Sequence, residues 1–104
     1  MKNVLFVCTG NVDRSPTAQA LFDGSPTITA RSAGTAPTAP TQLTAALIDW
    51  ADIILAMEPK HRQAILRLRP DAEPKVICLD IPNIYRHGEP KLKHLLAEKL
   101  RQHL

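Results

Sequence analysis

The chain has 104 residues, of which 44% are hydrophobic and 22% charged, with 13 Lys and Arg against 10 Asp and Glu. These proportions are those of a globular protein and exclude a disordered, collagen-like or coiled-coil chain. No apolar run approaches the roughly 20 residues that cross a bilayer. The net charge of +3, with one Trp, one Tyr and two Phe, does not favour nucleic-acid binding. We therefore expect a single domain over residues 1–104, with neither a membrane nor a nucleic-acid partner.

The first elements follow from the N-terminal residues. Residues 3–8 form a nearly continuous apolar run, typical of a strand buried on both faces. The run is too short for a signal-peptide core. Ser15 and Pro16 predict the N-cap and first residue of a helix, which Gly24 would end.

Later segments repeat this alternation of strand and helix. Residues 27–32 predict a second, weaker strand, and residues 33–40 a surface loop. Apolar spacing then predicts alternating helices and strands, with Trp50 as a core anchor; they cover residues 43–50, 52–57, 59–69, 75–79 and 92–104. This order predicts an α/β fold with a parallel sheet, whose ligands bind beyond the carboxyl ends of the strands.

The loop after the first strand carries the strongest functional signal. Cys8 and Arg14 bracket five residues between a predicted strand and a predicted helix. Converging backbone N–H groups there would bind a dianion, and Arg14 would hold two phosphoryl oxygens with its planar guanidinium. The same field favours the thiolate of Cys8, which predicts a nucleophile. Gly10 and Asn11 tolerate the left-handed backbone of a tight loop. The alternative is an ordinary buried cysteine beside a solvated arginine.

The same loop resembles a known signature. Residues 8–22 read CTGNVDRSPTAQALF, which is similar to the C-x-G-N-x-x-R-S-P signature of low-molecular-weight protein tyrosine phosphatases. The resemblance continues in order through three shorter blocks, SAGT at 32–35, ADIILAM at 51–57 and DIPNIY at 80–85. The last block resembles the D-I-P-D-P-Y acid loop of that family.

The resemblance implies a fold and a site. It implies a three-layer α/β/α fold with a four-stranded parallel sheet, as in the phosphotyrosine phosphatase I-like fold, and phosphoryl transfer through a cysteinyl-phosphate without metal or cofactor. Cys8 would attack phosphorus, and Asn11 would lock the loop by hydrogen bonds toward Ser15 and Ser32. The implied substrate is a phosphorylated protein or a small aryl phosphate, and inorganic phosphate is a product. The implied phosphate-binding residues are Thr9, Gly10, Asn11, Val12, Asp13, Arg14 and Ser15.

The acid loop departs from the family pattern. The aspartate that protonates the leaving phenolate is replaced by Asn83, and an amide donates no acidic proton. Asp80 lies three residues earlier, at the end of the predicted fourth strand, and is the candidate replacement. Its alternative role is to cap the backbone of its own loop.

Two further departures concern the walls of the cleft. Asp13 stands where many members have a second cysteine, and it is either a substitute proton donor, a source of repulsion toward substrate, or a solvated carboxylate. The segment between Ser32 and Trp50 is short and lacks the aromatic wall of longer members. Tyr85 is the candidate that stacks on an aryl substrate, or else it covers the sheet edge.

The second cysteine and three of the histidines help to distinguish the alternative functions. We interpret Cys78 as a core thiol, and His61, His94 and His103 as residues of helix surfaces without metal-ligand partners. Two cysteines are too few for a disulfide framework, which favours a reducing cytoplasm. The leading hypothesis is a phosphatase with weakened general-acid catalysis. The alternatives are a phosphate- or phosphotyrosine-binding module and, third, an arsenate reductase.

Overall fold

A computed structural model describes all 104 residues, from Met1 to Leu104. Its centre is a four-stranded sheet in which every pairing is parallel, and the strand order is β2-β1-β3-β4. The strands are β1 (Lys2–Cys8), β2 (Ile28–Gly34), β3 (Ile53–Ala56) and β4 (Val76–Cys78). The parallel sheet predicted from the alternation of elements is confirmed.

Four helices connect and follow these strands. They are α1 (Arg14–Ala20), α2 (Ala45–Trp50), α3 (Pro59–Leu68) and α4 (Pro90–Leu100), and a short 3-10 helix (Pro70–Lys75) precedes β4. Helix α2 begins after Thr44, whose side chain accepts a hydrogen bond from Leu47 N and so satisfies one free donor of the first turn. None of these helices is long and apolar enough to cross a membrane.

The core lies on both faces of the sheet because side chains alternate along β1. Val4, Phe6 and Cys8 belong to one buried cluster, which also contains residues of α1 and α4. Leu5 and Val7 belong to the other, which contains residues of α2 and α3. These five side chains are at most 2% exposed. The result is the three-layer α/β/α arrangement that the resemblance implied.

Two local predictions are wrong. Helix α1 begins at Arg14 with Asp13 at the N-cap position, so Ser15 lies inside the first turn and does not cap it. Cys78 is only partly buried, and its thiol donates to Asp80 Oδ1 over 3.4 Å, so it is not a core thiol. Trp50 is also partly buried and packs against the cluster that α2 and α3 cover, with the Arg31 guanidinium carbon 4.5 Å from its ring centroid.

Candidate active site

The Cys8 sulfur lies at the carboxyl end of β1, surrounded by donors from the following loop. Asn11 N donates to Cys8 Sγ over 3.3 Å, and Ser15 Oγ lies 3.0 Å from the same sulfur. Ser15 Oγ already accepts a hydrogen bond from Asn11 Nδ2, so its own hydrogen is available to the sulfur. Two hydrogen-bond donors therefore surround the Cys8 sulfur.

Asn11 holds the loop in its curled shape. Its backbone φ is +54°, in the left-handed region that asparagine tolerates better than most residues. Its Nδ2 donates to Ser15 Oγ over 3.0 Å and to Ser32 Oγ over 2.9 Å, and its Oδ1 accepts from Thr41 N over 3.2 Å. Both hydrogen bonds implied by the resemblance are present. Gly10, in contrast, does not adopt a positive φ.

The end of β2 approaches the loop so closely that only glycine fits. A Cβ on Gly34 would lie 2.6 Å from Thr9 O and 2.6 Å from Ala39 Cβ. The neighbouring backbone is bonded across the same gap, because Thr35 N donates to Cys8 O and Ala36 N donates to Thr9 O. The glycine of the SAGT block therefore sets the distance between β2 and the loop.

Replacing Gly34 by alanine is expected to destabilise the fold by about 2–3 kcal/mol, the scale of overpacking against fixed neighbours. The new methyl group meets backbone on one side, which cannot rotate away. The matched control is Gly10→Ala, whose Cβ would meet only Val12, at 4.0 Å. Urea unfolding monitored by circular dichroism measures both variants, and equal stabilities would contradict the steric argument.

Arg14 is buried in the floor of the site, with 2% of its surface exposed. Its Nη1 donates to the Glu58 carboxylate and to the carbonyl oxygen of Ile81, the latter over 2.7 Å. The hydrogen bond from Arg14 holds the pKa of Glu58 below its usual value. The Nε and Nη2 hydrogens have no protein acceptor, so they remain for the equatorial oxygens of a phosphoryl group.

His61 is not a surface residue, which corrects the expectation from sequence. It lies in the first turn of α3 and is 1% exposed. Its Nδ1 accepts from Glu58 N over 3.0 Å, and its Nε2 lies 2.8 Å from Thr9 Oγ1. Burial, and then the positive charge of Arg14, lowers the pKa of His61 from 6.5 to about 4. The imidazole is therefore neutral at physiological pH.

Burial of neutral His61 makes the stability of the fold depend on pH. The unfolded chain binds a proton at this residue near pH 6.5, and the folded chain only near the lowered pKa of about 4. The stabilisation is complete above pH 6.5 and is lost as the pH falls toward 4. At about 1.4 kcal/mol per pKa unit, the loss is about 3 kcal/mol.

A variant without the titrating group isolates that loss. In urea unfolding from pH 7.5 to pH 4, wild type is expected to lose about 3 kcal/mol more stability than His61→Gln. The exposed residue His94 supplies the control, because His94→Gln leaves the buried imidazole in place. Parallel pH profiles for wild type and His61→Gln would contradict the assignment.

The cleft above Cys8 has a volume of ≈ 470 Å³ and small walls. From the short segment after Ser32, Ala36 and Thr38 line the cleft. Asn83, at the position of the missing acid, also lines it. The complete lining is Cys8, Thr9, Gly10, Val12, Asp13, Arg14, Ala36, Thr38 and Asn83.

The structure does not bring Asp80 or Tyr85 to this cleft. Asp80 adopts a φ of +54°, and its carboxylate accepts from the Cys78 thiol beside α4. Asp80 does not line the cleft above Cys8; it lines one groove beside Lys99 and another beside Glu58. Tyr85 is partly buried and packs against the core cluster beneath α1 and α4, and it does not line the cleft. Both site predictions need this correction.

Asp13 is the only carboxylate that lines the cleft. Its Oδ1 accepts a hydrogen bond from His87 N over 2.8 Å, and Thr17 Oγ1 accepts from Gly88 N over 2.9 Å. These two contacts tie the loop after β4 to the start of α1. Asp13 is thus not a freely solvated carboxylate, although its Oδ2 accepts no hydrogen bond from the protein.

Two residues that hold side chains of the site in place were not predicted from the sequence. Gln19 accepts from Ser32 Oγ over 2.6 Å, which orients the hydroxyl that Asn11 contacts. Glu58 accepts a hydrogen bond from Arg14. It directly follows the ADIILAM block and lies beyond the carboxyl end of β3, a position that indicates a residue of the site. No group of three or more His, Cys, Asp or Glu side chains is arranged to hold a metal ion.

Comparison with known proteins identifies the family. A protein-arginine-phosphatase of Geobacillus stearothermophilus is 31% identical over 140 residues, covering 93% of this chain and 95% of the relative. A probable low molecular weight protein-tyrosine-phosphatase, EpsP of Ralstonia nicotianae, is 31% identical over 121 residues and covers 93% and 83%. Both alignments are longer than this 104-residue chain, so it lacks residues that these relatives have. No protein-family model matches the chain.

Solved structures agree with this result. The tyrosine phosphatase Wzb from Escherichia coli K30, in complex with phosphate, superposes with a TM-score of 0.79 at 27% identity, covering 97% of this chain and 94% of that one. The YwlE arginine phosphatase from Geobacillus stearothermophilus gives 0.73 at 29% identity, covering 98% and 94%. The chain belongs to the low-molecular-weight protein-tyrosine phosphatase family and is a phosphatase.

Proposed function

We propose that this phosphatase hydrolyses aryl phosphomonoesters, on phosphorylated proteins or small molecules, through a phosphorylated Cys8. The observation that carries the proposal is the pairing of a hydrogen-bonded Cys8 sulfur with the buried Arg14 guanidinium, two of whose nitrogens have no protein acceptor. A tetrahedral phosphoryl group carries several negatively charged oxygens, which such a planar guanidinium and the loop amides recognise.

The reaction would proceed in two displacements. The Cys8 thiolate attacks phosphorus, the S–P bond forms, and the P–O bond to the aryl group breaks with departure of the phenolate. Water then attacks the cysteinyl-phosphate, loses a proton to solvent, and releases inorganic phosphate and the thiolate. Arg14 and the loop N–H groups stabilise the charge on the equatorial oxygens in both steps. A reducing cytoplasm is the compartment we propose, because it keeps the Cys8 thiol available.

Protonation of the leaving group is the weak step of this site. Asn83 lines the cleft where an acid is needed, and Asp13 is bound to His87 N. A positioned general acid contributes roughly 10²–10⁴ in rate, and only leaving groups of high pKa need it. The enzyme should therefore prefer nitrophenyl phosphate to phosphotyrosine.

Restoring a carboxylate at position 83 tests whether the general acid is missing. Asn83→Asp is expected to raise kcat/KM for phenyl phosphate by up to about 10²-fold, with little change for nitrophenyl phosphate. Asn83→Ala is the matched control that adds no acid. Equal rates of wild type on both substrates, or a rise with Asn83→Ala, would contradict a missing acid.

The covalent step is tested separately by acid quenching and mass spectrometry, which should find one phosphoryl group on the peptide that contains Cys8.

Phosphoarginine is a second candidate substrate. The cleft offers one carboxylate, Asp13, and no aromatic ring, a combination that favours a cationic guanidinium over a phenyl ring. One relative is named an arginine phosphatase. Selective loss of phosphoarginine hydrolysis in Asp13→Asn would support this substrate, whereas equal losses on phosphotyrosine and phosphoarginine peptides would remove it.

The two other hypotheses receive less support. An arsenate reductase needs further thiols near its nucleophile, and Cys78 lies on β4, which β3 separates from β1. A phosphate-binding module without turnover would retain Arg14 and the loop but give no phosphorylated Cys8. The quenching experiment therefore distinguishes the module from the enzyme.

A further inference from the structure

The buried imidazole of His61 connects α3 to the phosphate loop. Its two ring nitrogens have different partners, Glu58 N at 3.0 Å and Thr9 Oγ1 at 2.8 Å. The residue is 1% exposed, so no water replaces either contact. Thr9 directly follows the Cys8 nucleophile and lines the same cleft.

The contact with Glu58 fixes the tautomer of His61. A backbone N–H is always a donor, so Nδ1 accepts and carries no hydrogen. Burial lowers the pKa of His61 to about 4, which keeps the ring neutral. Its single hydrogen is therefore on Nε2, and it points at Thr9 Oγ1.

The tautomer in turn directs the Thr9 hydroxyl. A hydroxyl has one hydrogen, and Thr9 Oγ1 uses a lone pair to accept from His61. No second protein partner of Thr9 Oγ1 exists in the structure. Thr9 itself is held in place, because its carbonyl oxygen accepts from Ala36 N over 2.9 Å. The Thr9 hydrogen therefore remains for a group in the cleft.

We propose that His61 is a positioning residue: its Nε2–H holds the Thr9 hydroxyl as a hydrogen-bond donor to an oxygen of the bound phosphoryl group. This inference rests on the proposed function, since it assumes that phosphate binds beside Cys8. A phosphoryl dianion presents only acceptors, so a hydroxyl whose hydrogen is free for the cleft matches it. A freely rotating hydroxyl would have to be oriented at each binding event, which weakens binding.

The first experiment removes the Thr9 hydroxyl at nearly constant shape. Thr9→Val is expected to weaken the binding of inorganic phosphate, measured by isothermal titration calorimetry, and to lower kcat/KM for nitrophenyl phosphate, each by about tenfold or more. Thr9→Ser should recover most of both. Unchanged phosphate affinity in Thr9→Val would overturn the proposal, as would a Thr9→Ser variant as impaired as Thr9→Val.

The second experiment separates the two hydrogen bonds of His61. His61→Asn retains an acceptor near the position of Nδ1 for Glu58 N but is too short to reach Thr9. His61→Gln carries its amide farther out, to the position of Nε2, and can donate to Thr9. We expect His61→Asn to reproduce the Thr9→Val defect, His61→Gln to retain most of the phosphate affinity, and His61→Asn to add nothing in the Thr9→Val background. Additive effects would mean that His61 acts through the fold alone and would overturn the proposal.

Long-range ¹H–¹⁵N spectra of the wild type test the tautomer without any substitution. A hydrogen on Nε2 of His61 at pH 7 is required, and a hydrogen on Nδ1 would overturn the proposal even if every His61 variant failed to fold. The exposed His94 provides the reference signal. Failure of the proposed function is distinct, because it would appear as an absence of turnover in a wild type that still binds phosphate.

Discussion

Cys8→Ser is expected to abolish hydrolysis of nitrophenyl phosphate, lowering kcat by on the order of 10⁵-fold or more, the scale of removing an enzymatic nucleophile. A serine hydroxyl is far less acidic than a thiol, and no base lies within hydrogen-bond distance of Cys8 Sγ to activate it. Phosphate binding should survive, because Arg14 and the loop amides are untouched. Stopped assays of phosphate release and calorimetric titration with phosphate measure the two properties.

The matched control for this substitution is Cys78→Ser. Cys78 lies at the far end of the sheet order, and its thiol contacts only Asp80, so its loss should leave kcat unchanged. Residual phosphate release by Cys8→Ser near the wild-type rate would remove Cys8 as the nucleophile. A fall in activity with Cys78→Ser instead would reopen the thiol relay of a reductase.

The features of this site that follow from local sequence could be predicted. A short apolar strand leading into a Gly-Asn loop and a helix encodes the position of Cys8 and Arg14 within about ten residues of chain. Hydrogen bonds from Asn11 to Ser15 and Ser32 followed from the resemblance, and the parallel sheet from the alternation of elements.

The predictions that are wrong concern residues whose backbone conformation or contacts the local sequence does not determine. Asp80 is close enough in sequence to replace the acid, but it lies outside the lining of the cleft and accepts from the Cys78 thiol. Local sequence does not encode its left-handed backbone. The sequence predicts an exposed His61 because local spacing does not reveal its partner Thr9, which is 52 residues away. Serine followed by proline is a common N-cap pattern and therefore predicts a cap at Ser15. In the structure, the Ser15 hydroxyl instead contacts the Cys8 sulfur and accepts from Asn11 Nδ2.

The surviving site explains why a shortened chain can remain a phosphatase. The residues that we propose bind phosphate lie at the end of β1 and in the first turn of α1. Residues that support them lie at the end of β2 and at the start of α3. Relative to the family pattern, this chain lacks an aromatic side chain in residues 36–41 and a carboxylate at position 83, and both segments line the cleft. Changes in the loops that line the cleft should thus weaken selectivity and leaving-group protonation before they affect the phosphate-binding centre.

Arg14→Lys is expected to lower kcat/KM for nitrophenyl phosphate by about 10²–10³-fold, the scale of losing a preorganised donor to transition-state charge. The substitution keeps the positive charge beside Glu58, so this partly buried carboxylate retains a partner and the fold should persist. What it removes is the planar arrangement in which Nη1 binds Glu58 and Ile81 O while Nε and Nη2 remain for phosphate. A lysine ammonium cannot hold protein and substrate with two separate edges.

Two further variants assign the loss to that arrangement. Arg31→Lys, at the exposed guanidinium over Trp50, controls for the exchange of arginine by lysine and should leave kcat/KM unchanged. Glu58→Gln keeps an acceptor for Nη1 without its charge, so its loss should be smaller than that of Arg14→Lys. If Arg14→Lys retained wild-type kcat/KM, charge alone would suffice for transition-state stabilisation. The bidentate geometry would then have no part in catalysis.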